Sequence, residues 1–543
     1  MKTEKMKFQS RSGSPLQTPI LRRFVAMLLM VSALFAAQLL LPDRPAYAYS
    51  EDDLYRIGLS YGSYAGTSYS FSTVSGLQVG TNEKSTGKFT VLESYPAGSY
   101  SVSASGGKLL LKNDNGKTLY TFTQSGSSNY FAAKTVASTG VLKADGHSYD
   151  GTFEFREQDG KVVVTNILPL NRYVMCVMPV EIYASWEVEM QKVFAVAVRT
   201  YAVSRRGFHD KAYGFDLCCK TCCQTYKGND LISTNVIAGA NATRGQILSY
   251  GGKVANINYT AISGGVTVKS SDAWGGTDYA YLDASPTPWE NYGNHSPYTS
   301  HGKWTKEYSG WALYERLKDS YPALKGSIAS IHIDSYGTNS GYATKVTVTD
   351  IYGNKATIER SDKIRTAFGL DSACFVVGKA GSTVTRTVYE LANFPSVLSG
   401  KKPSGLPDVL NAKTVKRTES VTLQGTAGNF VFDGSGWGHG VGLSQYGAWD
   451  MVKFGYDYRT VLAYYFKNAT IISMGDPGDK LGDVNGDGQV NATDRTILAR
   501  YLAGWTGNSI NLTAADMDCN GGVDAADRTY LARCLAGWEG YVF

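Results

Sequence analysis

Ser185-Trp186-Glu187-Val188-Glu189-Met190-Gln191-Lys192-Val193-Phe194-Ala195-Val196-Ala197-Val198-Arg199-Thr200-Tyr201 is the stretch whose reading decides how this chain is built. Met190, Val193, Phe194, Ala197, Val198 and Tyr201 recur at helical spacing, giving one continuous apolar face. Ser185 is a good N-cap, and Glu187 and Glu189 fall in the first turn, where the helix dipole favours carboxylates. The spacing predicts an amphipathic helix over 186–204. Ahead of it, residues 54–165 read as short β-prone runs, such as 55–59 and 161–164, divided by Gly, Ser and Asn turns. Further on, 309–317 reads as a helix, 331–358 as two or three strands and 448–454 as a last helix. The expected architecture is α+β: a mixed, β-rich domain with a central amphipathic helix, followed by a small all-α module described below.

With 543 residues the chain has room for two to four domains, and 43% hydrophobic with 18% charged residues is a globular composition. A net charge of +6 without a basic tract gives no nucleic-acid signature. The 37 tyrosines and 59 glycines suit an extracellular protein that handles sugars, since aromatic faces pack on pyranose rings. Lys2, Lys5, Lys7, Arg11, Arg22 and Arg23 precede an uncharged apolar run at 24–41, and Ala46-Tyr47-Ala48 follows Pro42. This reads as an export signal over 1–48, with an uncleaved anchor as the alternative; either way the body is expected outside the cytoplasm.

From residue 481 onward the chain duplicates itself with a period of 33. Asp483, Asn485, Asp487, Gln489, Asn491 and Asp494 occupy positions 1, 3, 5, 7, 9 and 12 of an EF-hand-like loop, with Gly488 at the turn. The second copy runs Asp516, Asp518, Asn520, Gly522, Asp524 and Asp527, with Gly521 at the turn. Calcium takes six to eight hard oxygen ligands, so each loop is expected to bind one ion. A helix with apolar positions follows each loop, at Ile497, Leu498, Tyr501 and Leu502, then at Tyr530, Leu531, Cys534 and Leu535. Asp at position 12, the absence of a clear preceding helix, and the repeated Asp-Arg-Thr and Leu-Ala-Gly-Trp segments make 481–543 closely resemble a type I dockerin. The resemblance implies docking onto a cohesin module of a scaffold protein, through Ala492, Thr493, Arg495, Ala525, Ala526 and Arg528.

A second resemblance is carried by Asn166-Ile167-Leu168-Pro169-Leu170, Tyr173, Glu181-Ile182-Tyr183-Ala184-Ser185-Trp186, Glu189, Lys192, Ala197-Val198-Arg199-Thr200-Tyr201 and Gln224-Thr225-Tyr226-Lys227-Gly228. It continues in Ser263-Gly264-Gly265, Trp274-Gly275-Gly276 and the glycine-rich stretch 436–448. These segments resemble the stage II sporulation protein D (SpoIID/LytB) family, whose members cut peptidoglycan glycan strands as lytic transglycosylases or enhance a wall amidase. The expected division is a β-rich part at 51–165, a core at 166–473, a linker at 474–480 and the dockerin at 481–543.

Glu181 matches the family's catalytic glutamate by its distance to Trp186. Aromatic neighbours and partial desolvation would raise its pKa, as a general acid at neutral pH requires. One carboxylate suffices for a lytic transglycosylase, because the C6 hydroxyl of muramic acid attacks its own anomeric carbon. Tyr183, Trp186, Lys192, Arg199, Gln224, Ser263, His439 and Gln445 are the expected substrate-binding residues. Lys192 and Arg199 either face Glu181 or the lactyl carboxylate of muramic acid, or form a structural ion pair. His439 is either a structural hydrogen-bonder or a supporting group. Cys218, Cys219, Cys222 and Cys223 offer thiolates for one structural zinc, with His209 nearby, or else form local disulfides. The function expected is secreted glycan-strand cleavage between muramic acid and glucosamine. The rivals are a non-catalytic enhancer of a wall amidase and action on another polysaccharide.

Overall fold

The strand Lys161–Pro169 is buried along nearly its whole length, between Leu54–Ser60 on one side and Thr152–Gln158 on the other. A strand covered on both faces must be apolar on both, and Val162-Val163-Val164 meets that demand. It sits inside a seven-stranded sheet that continues through Asn129–Thr135, Leu77–Glu83 and Phe89–Tyr95. At the other edge the short strand Leu217–Cys218 pairs parallel to Leu54–Ser60. A six-stranded sheet lies against it: Phe71 stands 5.5 Å from Phe155, and Phe122 stacks on Phe131 at 5.3 Å. Because Lys161–Pro169 runs through the division expected at 165/166, the β-rich part and the helical core share one sheet.

This computed structural model describes residues 53–124, 126, 128–290, 301–392, 394, 406–474, 481–487, 489–505, 510–517 and 522–538, all within the unit 44–543. The expected export signal, all but the first residue of the expected linker, and Gly488, Asp518, Asn520 and Gly521 of the calcium loops lie outside the described residues.

The helices that follow the sheet include α1 (Leu170–Glu181), α2 (Val188–Ser204) and α3 (Thr234–Ala242). α1 is not visible in the sequence pattern. Leu170 through Pro179 are all buried, so no polar face marks the helical period, and Pro179 lies inside it. α2 begins two residues later than expected, with Glu187 rather than Ser185 at the N-cap position. A turn closed by Trp186 N–H onto Tyr183 O, at 3.1 Å, takes up the residues between the two helices.

Residues 301–435 build a second core around Trp304, Val346, Phe368 and Phe432. It contains α4 (Gly310–Leu317), where Ser309, expected inside the helix, is its N-cap, and α5 (Ser361–Phe368). The strands Ile328–Tyr336, Ala343–Asp350 and Lys355–Glu359 form the upper of the two counts expected there. The chain then returns to the first core. Leu443–Ser444 pairs parallel to Tyr259–Thr260, followed by α6 (Gln445–Phe454) and α7 (Tyr458–Tyr465), and Thr470–Ser473 pairs with Gln246–Tyr250.

The C-terminal module has helices α8 (Ala492–Leu502) and α9 (Ala525–Leu535) around Leu481, Val484, Leu498, Met517, Tyr530, Leu531 and Cys534. Two expectations change here. Tyr501 is exposed rather than part of the core, and one turn of helix, Leu512–Ala515, precedes the second loop.

Arg199 is among the largest side chains buried without residue. Its Nη2 donates to Asn171 Oδ1 at 2.9 Å and to Ala240 O at 3.3 Å, and its Nη1 donates to Ala195 O and Gln246 O at 3.3 Å. Arg199 therefore ties α2 to α1 and α3 and does not face Glu181. Replacing it with Met keeps the volume but strips donors from four buried acceptors. Arg199→Met is expected to cost about 3 kcal/mol. Urea unfolding should report this as a lower midpoint with an unchanged m-value.

Candidate active site

Glu181 is the last residue of α1, and the helix stops there with Ile182 N–H bonding back to Met178 O. The side chain is half-buried. Its Oε1 accepts the Thr225 amide at 2.7 Å, and its backbone carbonyl accepts Gln445 Nε2 at 3.0 Å. Burial raises the Glu181 pKa above the ordinary carboxylate range, and the Thr225 contact only partly opposes it. Gln224 fixes the neighbouring backbone by accepting from Tyr173 Oη at 3.1 Å and donating to Tyr259 Oη at 3.2 Å. Tyr259 lies within electrostatic reach of Glu181: burial first, and then the Glu181 charge, push its phenol well above the usual range. No local pattern marks Tyr259, which lies on the two-residue strand Tyr259–Thr260.

Next to Glu181 rises an aromatic wall. Tyr183 is 54% exposed and its ring lies 5.5 Å from Trp186. Trp186 is nearly covered, stacked on Trp449 at 4.1 Å and met edge-on by Tyr446. Trp449 donates its indole N–H to Glu187 Oε2 at 2.6 Å, and Lys453 Nζ stands 3.5 Å over its ring. The structure thus brings together Glu181, Tyr183, Trp186, Gln224 and Gln445, and adds Thr225, Tyr259 and Trp449. α6 supplies Gln445, Tyr446 and Trp449 from one face, a grouping that the glycine-rich reading of 436–447 did not reveal.

Other expected residues lie elsewhere. Lys192 pairs with Glu189 at 2.8 Å, one turn back on its own helix, and Arg199 is the buried tie described above. Ser263 is fully covered; its amide and hydroxyl donate to Glu290 Oε1 at 2.9 and 2.8 Å. Glu290 also accepts from Gly265 N–H and Ser444 Oγ–H, so it fastens the 263–265 turn to the start of α6. His439 accepts the Val441 amide on Nδ1 at 3.0 Å and faces Trp274 at 4.9 Å. Burial first, and then Arg365, lower its pKa to about 4, so it is neutral at pH 7 and acts as a structural acceptor. The glycines around it are required by close approach. Gly438 has φ +114°, and a Cβ there would lie 2.2 Å from Thr260 Oγ1.

The cysteine cluster departs from the expected set. His209 Nε2 and the Sγ atoms of Cys218, Cys222 and Cys223 all lie within 4.8 Å of one another. Cys219, just past the end of the strand Leu217–Cys218, is turned away toward Leu59 O at 3.7 Å. Hydrogen bonds from Cys222 and Cys223 hold the Cys218 thiol well below its usual range. Three thiols and one imidazole nitrogen are the donor types of a tetrahedral zinc site, and Cys218 Sγ and Cys222 Sγ, 2.7 Å apart, would have to open to about 3.8 Å to share the ion. The four cysteines are free thiols in this structure.

The C-terminal loops offer hard oxygen donors, and among the described residues their carboxylates accept backbone amides. Asp483 Oδ1 accepts the Asp487 amide at 3.0 Å, while Asp494 accepts from Asn485 N–H and Asn491 N–H. In the second loop Asp527 accepts from Met517 N–H at 2.8 Å and Asp524 N–H at 2.7 Å. Asp494 and Asp527 are fully covered and close capping boxes on α8 and α9. Ala492, Thr493, Arg495, Ala525, Ala526 and Arg528 are all exposed.

The raised pKa of Glu181 has a measurable sign. A carboxyl whose pKa is higher folded than unfolded stabilises the fold below the unfolded value and loses that stabilisation as pH rises through the folded value. Glu181→Gln, always neutral, is therefore expected to have a higher thermal midpoint than wild type at pH 7. The gap should close as pH falls through the ordinary glutamate range. A variant less stable than wild type at pH 7 would contradict the desolvated carboxyl.

Comparison with known proteins gives two family matches: Stage II sporulation protein over residues 158–250, and Dockerin type I domain over 481–536. The chain is 25% identical over 396 residues to a Bacillus subtilis (strain 168) protein named amidase enhancer, covering 69% of this chain and 50% of that protein. It is also 25% identical over 335 residues to an uncharacterized protein of Brachyspira hyodysenteriae, covering 60% of this chain and 73% of that one. The chain thus spans half the length of the Bacillus relative. Among the described residues no helix is long and apolar enough to cross a membrane. Residues 158–250, which hold Glu181, Trp186 and Thr225, are a Stage II sporulation protein family region, and residues 481–536 are a type I dockerin.

Proposed function

We propose that this protein is an extracellular lytic transglycosylase acting on peptidoglycan glycan strands and carried on a cohesin-bearing scaffold by its dockerin. The observation that supports it most is the half-buried, pKa-raised Glu181 held by Thr225 beside an aromatic wall. In this reading protonated Glu181 donates to the oxygen leaving the muramic C1 as the C1–O bond breaks. The C6 hydroxyl of the same sugar forms the new bond to C1, and its proton passes to the Glu181 carboxylate, which restores the acid. Tyr183, with Trp186 and Trp449 behind it, would pack on sugar rings, while Gln224 and Gln445 hold the backbone of the site rather than touch substrate.

Two calcium ions would be held by Asp483, Asn485, Asp487, Gln489, Asn491 and Asp494, and by Asp516, Asp518, Asn520, Gly522, Asp524 and Asp527. One structural zinc would be held by His209, Cys218, Cys222 and Cys223. A closed four-ligand site leaves no position for substrate; bound there, zinc supplies a clamp on the segment that runs directly into Gln224 and Thr225. A second reading is favoured by the name of the Bacillus relative: a wall-binding protein that stimulates an amidase without cutting glycan itself.

Glu181→Gln is nearly isosteric but cannot donate a proton to the leaving oxygen. On peptide-stripped glycan strands it is expected to lose about 10²–10⁴-fold in turnover while keeping its circular dichroism and strand binding. No cleavage by wild type, together with amidase stimulation that survives Glu181→Gln, would establish the second reading instead. For the metal, elemental analysis of reduced protein should find one zinc per chain. Cys223→Ser should lose it and lower the thermal midpoint; a metal-free wild type, or disulfides inside the cluster, would refute the zinc site.

A further inference from the structure

The two calcium loops are not held alike, although their sequences are in register. In each, the residue at position 2 is fully buried: Val484 in the first loop and Met517 in the second. The carbonyl of Val484 accepts the backbone N–H of Asn511 at 2.9 Å, a partner inside the dockerin. The carbonyl of Met517 accepts Nδ2 of Asn241 at 2.7 Å, a side chain of α3 in the body.

From Asn241 the contact runs on into the body. Asn171 Nδ2 donates to Asn241 Oδ1 at 3.2 Å, and Arg199 Nη2 donates to Asn171 Oδ1 at 2.9 Å. In the other direction Met517 N–H donates to Oδ1 of Asp527, the position-12 carboxylate, at 2.8 Å. Arg199, Asn171, Asn241, Met517 and Asp527 therefore form one buried polar chain from the core helix α2 to a calcium-ligating carboxylate, each member at most 4% exposed. A buried polar group left without its partner is costly, so the members hold one another in place.

Two further observations agree. Position 7 is Gln489 in the first loop but Gly522 in the second. A Cβ at Gly522 would lie 2.8 Å from Ser138 Oγ and Thr139 Cγ2, so the Ser138–Thr139 turn of the body occupies the space a side chain would need. Ile237 of α3 packs into the dockerin core. The six expected cohesin-contacting positions remain exposed.

We propose that the body is a fixed intramolecular partner of the second calcium loop, holding that loop at Met517 through Asn241 and at Gly522 through the seat over Ser138–Thr139. Calcium affinity at that loop and the stability of α3 are then linked, while the carbonyl of Val484 in the first loop is held from within the dockerin. A dockerin anchored this way presents its cohesin-contacting positions in a set orientation instead of swinging on its linker. The inference rests on the calcium reading given above, and the experiment separates the two.

The test is a calcium titration of the full chain, stripped with chelator, with hydrogen exchange of α3 followed alongside. Wild type should bind two ions, and the α3 amides should gain protection when calcium is added. Asn241→Ala should weaken one site about fivefold to tenfold, the worth of a buried hydrogen bond, and leave the other unchanged. Gly522→Gln keeps the ligating backbone carbonyl and the entire body intact, so it decides the matter if Asn241→Ala fails to fold. It too should weaken one site and remove the calcium-dependent protection of α3. Two ions bound with wild-type affinities in Gly522→Gln, with α3 protection unaffected by calcium, would overturn the linkage and leave the calcium reading standing. No calcium bound by wild type would overturn both.

Discussion

The hydrogen bond from the Thr225 amide to Glu181 Oε1 joins parts of the chain that have no sequence proximity. Glu181 is delivered by the end of α1, which grows straight out of the buried strand Lys161–Pro169 of the large sheet. Thr225 is delivered by the segment leaving the cysteine cluster, and Gln445 arrives from α6 after the second core has been completed. A carboxyl at a helix C-terminus is disfavoured by the helix dipole when charged, and burial disfavours the charge further. The single amide contact keeps the group oriented without neutralising that pressure, which is the condition an acid catalyst needs.

Much of the rest of the site consists of groups that hold other groups. Gln224 bridges two tyrosines, Glu290 fastens Ser263, Gly265 and Ser444, and Gln191 donates to the carbonyls of Tyr183 and Trp186. These side chains are buried and polar, so each must be satisfied internally, and their mutual bonds fix the loops that carry the exposed aromatic ring. A motif residue can therefore be essential to the site while never meeting a ligand. Arg199 and Ser263 are the clearest instances.

The dockerin repeats, α2 and the motif around Glu181 were legible in the sequence because each has a local signature: a spaced repeat, an apolar period, a motif. α1 escaped because a helix buried on all sides has no period to detect, and its proline argues the wrong way. Ser185 misled because this good cap residue lies inside the tight turn from Tyr183 to Trp186 instead of at the helix start. Tyr259, Trp449, Glu290 and Asn241 escaped for a different reason: their roles come from contacts across long sequence separations. His209, read in the sequence as a possible addition to the four thiolates, joins Cys218, Cys222 and Cys223 in the cluster, while Cys219 turns toward Leu59 O.

The account turns on whether one carboxyl is enough. If Glu181 works with the substrate's own C6 hydroxyl, digestion of peptide-stripped glycan strands should yield fragments ending in 1,6-anhydromuramic acid, each lighter by one water than a hydrolytic fragment. Mass spectrometry of those ends reads the difference directly. Anhydro ends on every fragment are the predicted result. Reducing muramic acid ends would contradict it, because water would then be the nucleophile and a second carboxylate would have to activate it or form a covalent intermediate.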